Sequence, residues 1–147
     1  MNSDKINATI IIEVLGKPKE HLVETLEKII EKISQEKGIE IKDKKINEPQ
    51  ELKDKKEFFT NFAEIELEFD NAFDLMILIF KYMPANIQIN YPEKITLDNS
   101  SFTAILNELA RRLHGYDEIA RVIQMEKKIL TDKLRSLLKN KDSEKKE

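Results

Sequence analysis

A chain of 147 residues with no cysteine excludes disulfides, thiolate metal sites and cysteine nucleophiles, and its two histidines leave little for a His-rich metal centre. Charged residues make up 36% of it but nearly cancel to a net charge of −3, which argues against a dedicated nucleic-acid binder. No apolar run approaches the roughly 18 residues of a membrane span, and the opening MNSDKINATIII lacks the basic, apolar, small order of a signal peptide. A cytoplasmic protein is expected.

Residues 8–15 (ATIIIEVL) are rich in β-branched side chains and apolar on both parities, as a central strand is. Gly16-Lys17-Pro18 reads as the turn, and Pro18 with Glu20 suits a helix start. Leu22, Val23, Leu26, Ile29, Ile30 and Ile33 recur at helical spacing through about Lys37, with Gly38 as the stop. Residues 39–46 (IEIKDKKI) form a short, lysine-studded strand, the composition by which a sheet edge resists pairing. Residues 47–57 read as a polar connection.

The organising stretch is 58–91. Ala63, Ile65, Leu67 and Phe69 alternate with Glu64, Glu66, Glu68 and Asp70, a half-buried strand. Residues 72–83 (AFDLMILIFKYM) are a helix that Asp70 or Asn71 can cap and Pro84 ends. It is apolar nearly all round, so it needs covering on more than one side. Ile87, Ile89 and Tyr91 resume the alternation. The order β-α-β-β-α-β predicts an α+β, ferredoxin-like four-stranded antiparallel sheet with two helices over residues 1–97. The first and third strands are then central, the second and fourth edges.

Beyond it, Asp98, Asn99, Ser100 and Ser101 offer N-caps. Ile105, Leu106, Leu109, Ala110 and Leu113 form the stripe of a third helix, His114-Gly115-Tyr116 breaks it, and Asp117 caps a fourth. The expectation is a C-terminal helical hairpin over 98–140, packed on the core or on a partner and covering residues 72–83, with a disordered tail at 141–147.

TIIIEVL-GKP-KEHLVETLEKIIEKI-SQEKGIEI resembles the first half of an ACT-type regulatory domain: a strand, a proline turn and an apolar helix face, with Lys19 standing where that family has glycine. The resemblance implies an amino-acid or anion sensor with its ligand near the 16–18 turn. The whole chain also resembles small uncharacterised archaeal proteins, a resemblance that carries no activity.

Three of the four arginines fall at Arg111, Arg112 and Arg121, beside His114, Tyr116 and Asp117. Guanidinium forks bind carboxylate or phosphate bidentately. The cluster is therefore either a contact for a small anion or acidic protein, or is paired internally to Glu108, Asp117 or the acidic strand face. Glu64, Glu66 and Glu68 read as a solvated sheet face rather than a metal or acid–base set. They also tell against reading FFTNFAEIELEF as an RNA-binding strand, because carboxylates occupy its exposed parity. His21 and His114 read as exposed residues near helix ends, and Ser100, Ser101 and Thr103 as caps.

Ile119, Ile123, Leu130, Leu134 and Leu137 run down one side of the last helix, with Val122, Met125 and Ile129 alongside; Ile123, Leu130, Leu134 and Leu137 are the expected contact residues. Its mixed charges disfavour a membrane and favour packing on the chain's own core or on a second copy of the chain. The expected function is a non-enzymatic homo-oligomeric interaction module without a cofactor, with ACT-like sensing as the alternative.

Overall fold

The computed structural model describes residues 5–146; residues 1–4, read above for a signal sequence, and Glu147, the end of the expected tail, lie outside the described residues. In chain order the elements are β1 (Ile6–Gly16), α1 (Lys19–Ser34), β2 (Ile39–Ile46), β3 (Gln50–Glu51), β4 (Phe59–Phe69), α2 (Ala72–Tyr82), β5 (Asn86–Tyr91) and α3 (Asn99–Glu144). The chain divides into two units between Phe102 and Thr103.

The first unit is an antiparallel sheet in the order β2-β4-β1-β5, with the two-residue β3 also on β4. The apolar strands β1 and β4 are central and the lysine-bearing β2 is an edge, as their composition predicts. β1 and β4 pair along their whole length, from Ile6 opposite Phe69 to Gly16 opposite Phe59. This register sets Ala8 against Leu67 and Ile12 against Ala63, small against large. One face therefore carries Ile6, Ala8, Ile10, Ile12, Ala63, Ile65, Leu67 and Phe69, all buried. Leu26, Ile30 and Ile33 of α1 and Leu75 and Leu78 of α2 complete that core. Each such aliphatic side chain contributes about 1.5–3 kcal/mol by leaving water.

Local chemistry sets the helix ends. Pro18 stands extended before α1, and Asn71 caps α2 by accepting from the Asp74 amide at 3.0 Å. Met83 closes α2 in the left-handed region at φ 47°, just before Pro84. Gly38 turns at φ 79°, and a Cβ there would collide with the Asp74 carboxylate. Burial, and then the nearby Asp70 charge, raise that carboxyl above the usual range. Glu36, just past α1, accepts from both Lys81 Nζ and Tyr82 Oη at 2.6 Å and so ties α1 to the end of α2.

The second unit corrects the expected hairpin. α3 is one helix of 46 residues, about 70 Å long at 1.5 Å per residue. It runs straight through His114-Gly115-Tyr116. An interior glycine costs only about 1 kcal/mol relative to alanine, and nothing lies within 4 Å of a Cβ built on Gly115. Asp117 caps no helix; it is an interior residue paired to Arg121 at 2.9 Å. The expected tail is helical through Glu144. Asp98 provides the cap at the start, accepting from the Ser101 amide at 2.6 Å.

Candidate functional site

The arginines lie on α3 and meet carboxylates one turn away. Arg111 donates Nε to Glu108 Oε2 at 3.0 Å and a terminal nitrogen to Oε1. Arg112 donates Nε to the same Oε1 at 2.8 Å. Three charge-assisted bonds thus converge on one carboxylate. They hold Glu108 down to about 2, the Arg111 hydrogen bond being the largest cause. Arg121 pairs with Asp117.

Helical spacing then separates the cluster. Arg111, His114 and Arg121 follow one another at three and seven residues along one side of α3. Tyr116 belongs to another side, in line with Leu109 and Ile123. His114 is exposed and Tyr116 is 43% exposed.

That other side is the most extended apolar feature of the helix. Phe102, Leu109, Tyr116, Ile123, Leu130 and Leu137 succeed one another at intervals of seven, and Leu106, Leu113, Ala120, Lys127 and Leu134 form a second such series between them. Alternating steps of four and three are the repeat of a coiled-coil seam. No residue of α3 is buried, and Leu130 is 67% exposed. Ile123, Leu130, Leu134 and Leu137, singled out from sequence, are four members of this seam; Phe102, Leu106, Leu109, Leu113 and Tyr116 were missed as its continuation. The unbroken step of seven across Gly115 was the signal, hidden by the expected helix break. Ile119, Val122, Met125 and Ile129 add a shorter apolar line beside it.

The open face of the sheet is polar and internally bonded. Glu66 accepts from Asn7 Nδ2 at 2.8 Å, and Asn90 Nδ2 donates to both Asn7 and Thr9. Lys5 lies 3.0 Å and Lys42 3.7 Å from Glu68. The Lys5 hydrogen bond is the first reason that Glu68 sits below the usual carboxylate range. Among the described residues no three His, Asp or Glu side chains are grouped to hold a metal ion.

At the β1–α1 turn a cavity of about 650 Å³ is lined by Lys17, Pro18, Lys19, Glu20, Glu51, Glu57 and Phe59. Lys17 Nζ stands 5.0 Å from the centroid of the Phe58 ring. Two residues along β4, Asn61 is fully buried, and neither its amide oxygen nor its amide nitrogen meets a protein partner among the described residues.

No helix among the described residues is long and apolar enough to cross a membrane. No curated protein and no solved structure matches the chain. A family model does match, and the match runs from residue 7 in β1 to residue 137, the last apolar position of the seam, so it takes in the sheet and the exposed helix together. The chain belongs to the MJ0538 family.

Proposed function

We propose that this chain is a non-enzymatic, homo-oligomeric interaction module whose contact surface is the seam of α3, centred on Ile123, Leu130, Leu134 and Leu137. One observation carries the reading: the seam keeps its seven-residue step through Leu137 on a helix that has no buried residue. A second helix with the same repeat is the natural cover for such a stripe. Charges of both signs beside it suit a protein partner better than an anionic membrane or nucleic acid. The sheet unit serves as the folded body. The order β2-β4-β1-β5, in which the first strand and β4 are central, supports reading that body as ferredoxin-like. A cytoplasmic setting fits a chain without cysteine.

The test is mass in solution. Light scattering at micromolar concentration should give a multiple of 17.2 kDa, and the pair Leu130→Glu with Leu134→Glu should reduce it to the single-chain mass. A wild-type chain that is strictly monomeric at these concentrations removes the proposal.

A second reading is ACT-like sensing of a small molecule, and the cavity at the β1–α1 turn favours it. Its lining combines Lys17 and Lys19 with Glu20, Glu51 and Glu57 and with the apolar Pro18 and Phe59, a set that suits a zwitterion such as an amino acid. Thermal-shift measurements with amino acids, nucleotides and phosphate at millimolar concentration test it; no rise with any of them counts against it. The arginine cluster is a weaker anion site in this reading, since Glu108 and Asp117 occupy its forks.

A further inference from the structure

Resting on the proposal that α3 pairs with a second copy, we infer that the two helices run antiparallel, with Lys127 against the partner's Tyr116 and Lys141 against the partner's Phe102. The positions of charge and aromatic rings along the seam carry this. One series reads Leu106, Leu113, Ala120, Lys127, Leu134 and Lys141; the other reads Phe102, Leu109, Tyr116, Ile123, Leu130 and Leu137. The first contains the seam's two charges, and the second contains its two aromatic residues.

In a parallel pair each residue faces its own copy. Lys127 would then meet the partner's Lys127 inside an otherwise apolar seam, and Lys141 the partner's Lys141. Like charges brought together out of water repel strongly. In an antiparallel pair the two series face each other instead. The step from Lys127 to Lys141 equals the step from Phe102 to Tyr116. One alignment therefore sets both lysines on aromatic rings together, where an ammonium is attracted to the ring face, and the Tyr116 hydroxyl adds a polar atom for Lys127.

The same alignment uses the whole seam. Leu106 meets the partner's Leu137, Leu109 the partner's Leu134, and Leu113 the partner's Leu130. At the centre Ala120 meets the partner's Ile123, small against large. The flanking like-charged approach, Arg112 to the partner's Lys133, is relieved because Arg112 already carries Glu108 at 2.8 Å.

A chain without cysteine permits the direct test. Asn107→Cys and Lys139→Cys, both away from the seam, are spin-labelled separately in the full chain, and the distance between identical labels is read by pulsed dipolar spectroscopy. At 1.5 Å per residue the proposed alignment places the labels about 45 Å apart at position 107 and about 50 Å apart at position 139. Distances below about 25 Å at both positions mean a parallel pair and overturn the inference while leaving the homo-oligomer standing. A slipped antiparallel alignment lengthens one distance and shortens the other, and overturns the lysine–aromatic pairing. A short distance beside the long one means a larger bundle and overturns the two-chain form. Absence of dipolar coupling in both samples removes the homo-oligomer itself.

Discussion

Replacing Asn61 by leucine tests the one discordant group in the sheet core. Asn61 is 0% exposed, stands opposite Val14 of β1, and is the only polar side chain buried among the described residues. Neither end of its amide has a protein partner among the described residues. A buried polar group left unpaired costs about 1–3 kcal/mol. Leucine has almost the same outline and no such cost, so Asn61→Leu should stabilise the fold by roughly that amount. For a chain of this size about 2–4 °C in Tm corresponds to each kcal/mol. Thermal and urea unfolding followed by circular dichroism, without added small molecules, give the measurement. A Tm raised by several degrees with an unchanged urea m-value supports the packing account. A fall would refute it, because it would mean that the amide is bonded in the folded protein and that a polar group belongs there.

Three further substitutions bear on the fold. Glu36→Gln weakens the junction of α1 with α2, where Lys81 and Tyr82 share one carboxylate oxygen; a loss of about 1–3 kcal/mol is expected in urea titrations at neutral pH. The Lys81 hydrogen bond first, and the Tyr82 hydroxyl second, hold Glu36 below the usual carboxylate range. Its contribution is therefore full above the unfolded carboxylate pKa of about 4.3 and fades as pH falls through the lower folded value; wild type and Glu36→Gln should converge in stability in strong acid. Gly38→Ala forces an L side chain into φ 79° and into the Asp74 carboxylate, and about 1–3 kcal/mol should be lost in the same titration. Leu78→Ala, at 1% exposure in the wild type, should cost about 2–5 kcal/mol; a loss below about 1 kcal/mol would show that α2 is not held by the sheet core.

Much of the sheet unit was legible because its strands obey period two and its turns carry glycine, proline or asparagine. The residues from Ile39 to Ile46 form β2 as read, and Asn71 caps α2. The two-residue β3 has no alternation of its own; only pairing with Thr60 and Phe59 makes it a strand, and distant pairing leaves no local mark. β4 reaches back to Phe59 for the same reason, since β1 extends far enough to pair with it. At the arginines, residue type named an anion or a carboxylate as partner, and helical spacing on either side of Gly115 sets Glu108 within one turn of Arg111 and Arg112 and Asp117 within one turn of Arg121. The helix break was misread because His114-Gly115 is a local stop signal, whereas the sevenfold step that crosses it shows only over six turns or more.

The pairing of β1 has a consequence for synthesis. β1 is made before the other described elements, yet its partners on β4 follow roughly 40 to 60 residues later, and β5 on its other flank later still. At about 5–20 residues per second this strand, the most apolar in the chain, waits for several seconds with both edges open. Such a segment is where chains of one kind associate wrongly. The helix made in the interval is α1, whose buried side presents Leu22, Leu26, Ile30 and Ile33. Next comes β2 with Lys42, Lys44 and Lys45, a strand too charged to pair readily with a neighbouring nascent chain. β2 and β4 lie closer in sequence and can close on each other at once. Of the two central strands, the one made earlier is thus the later to gain both neighbours.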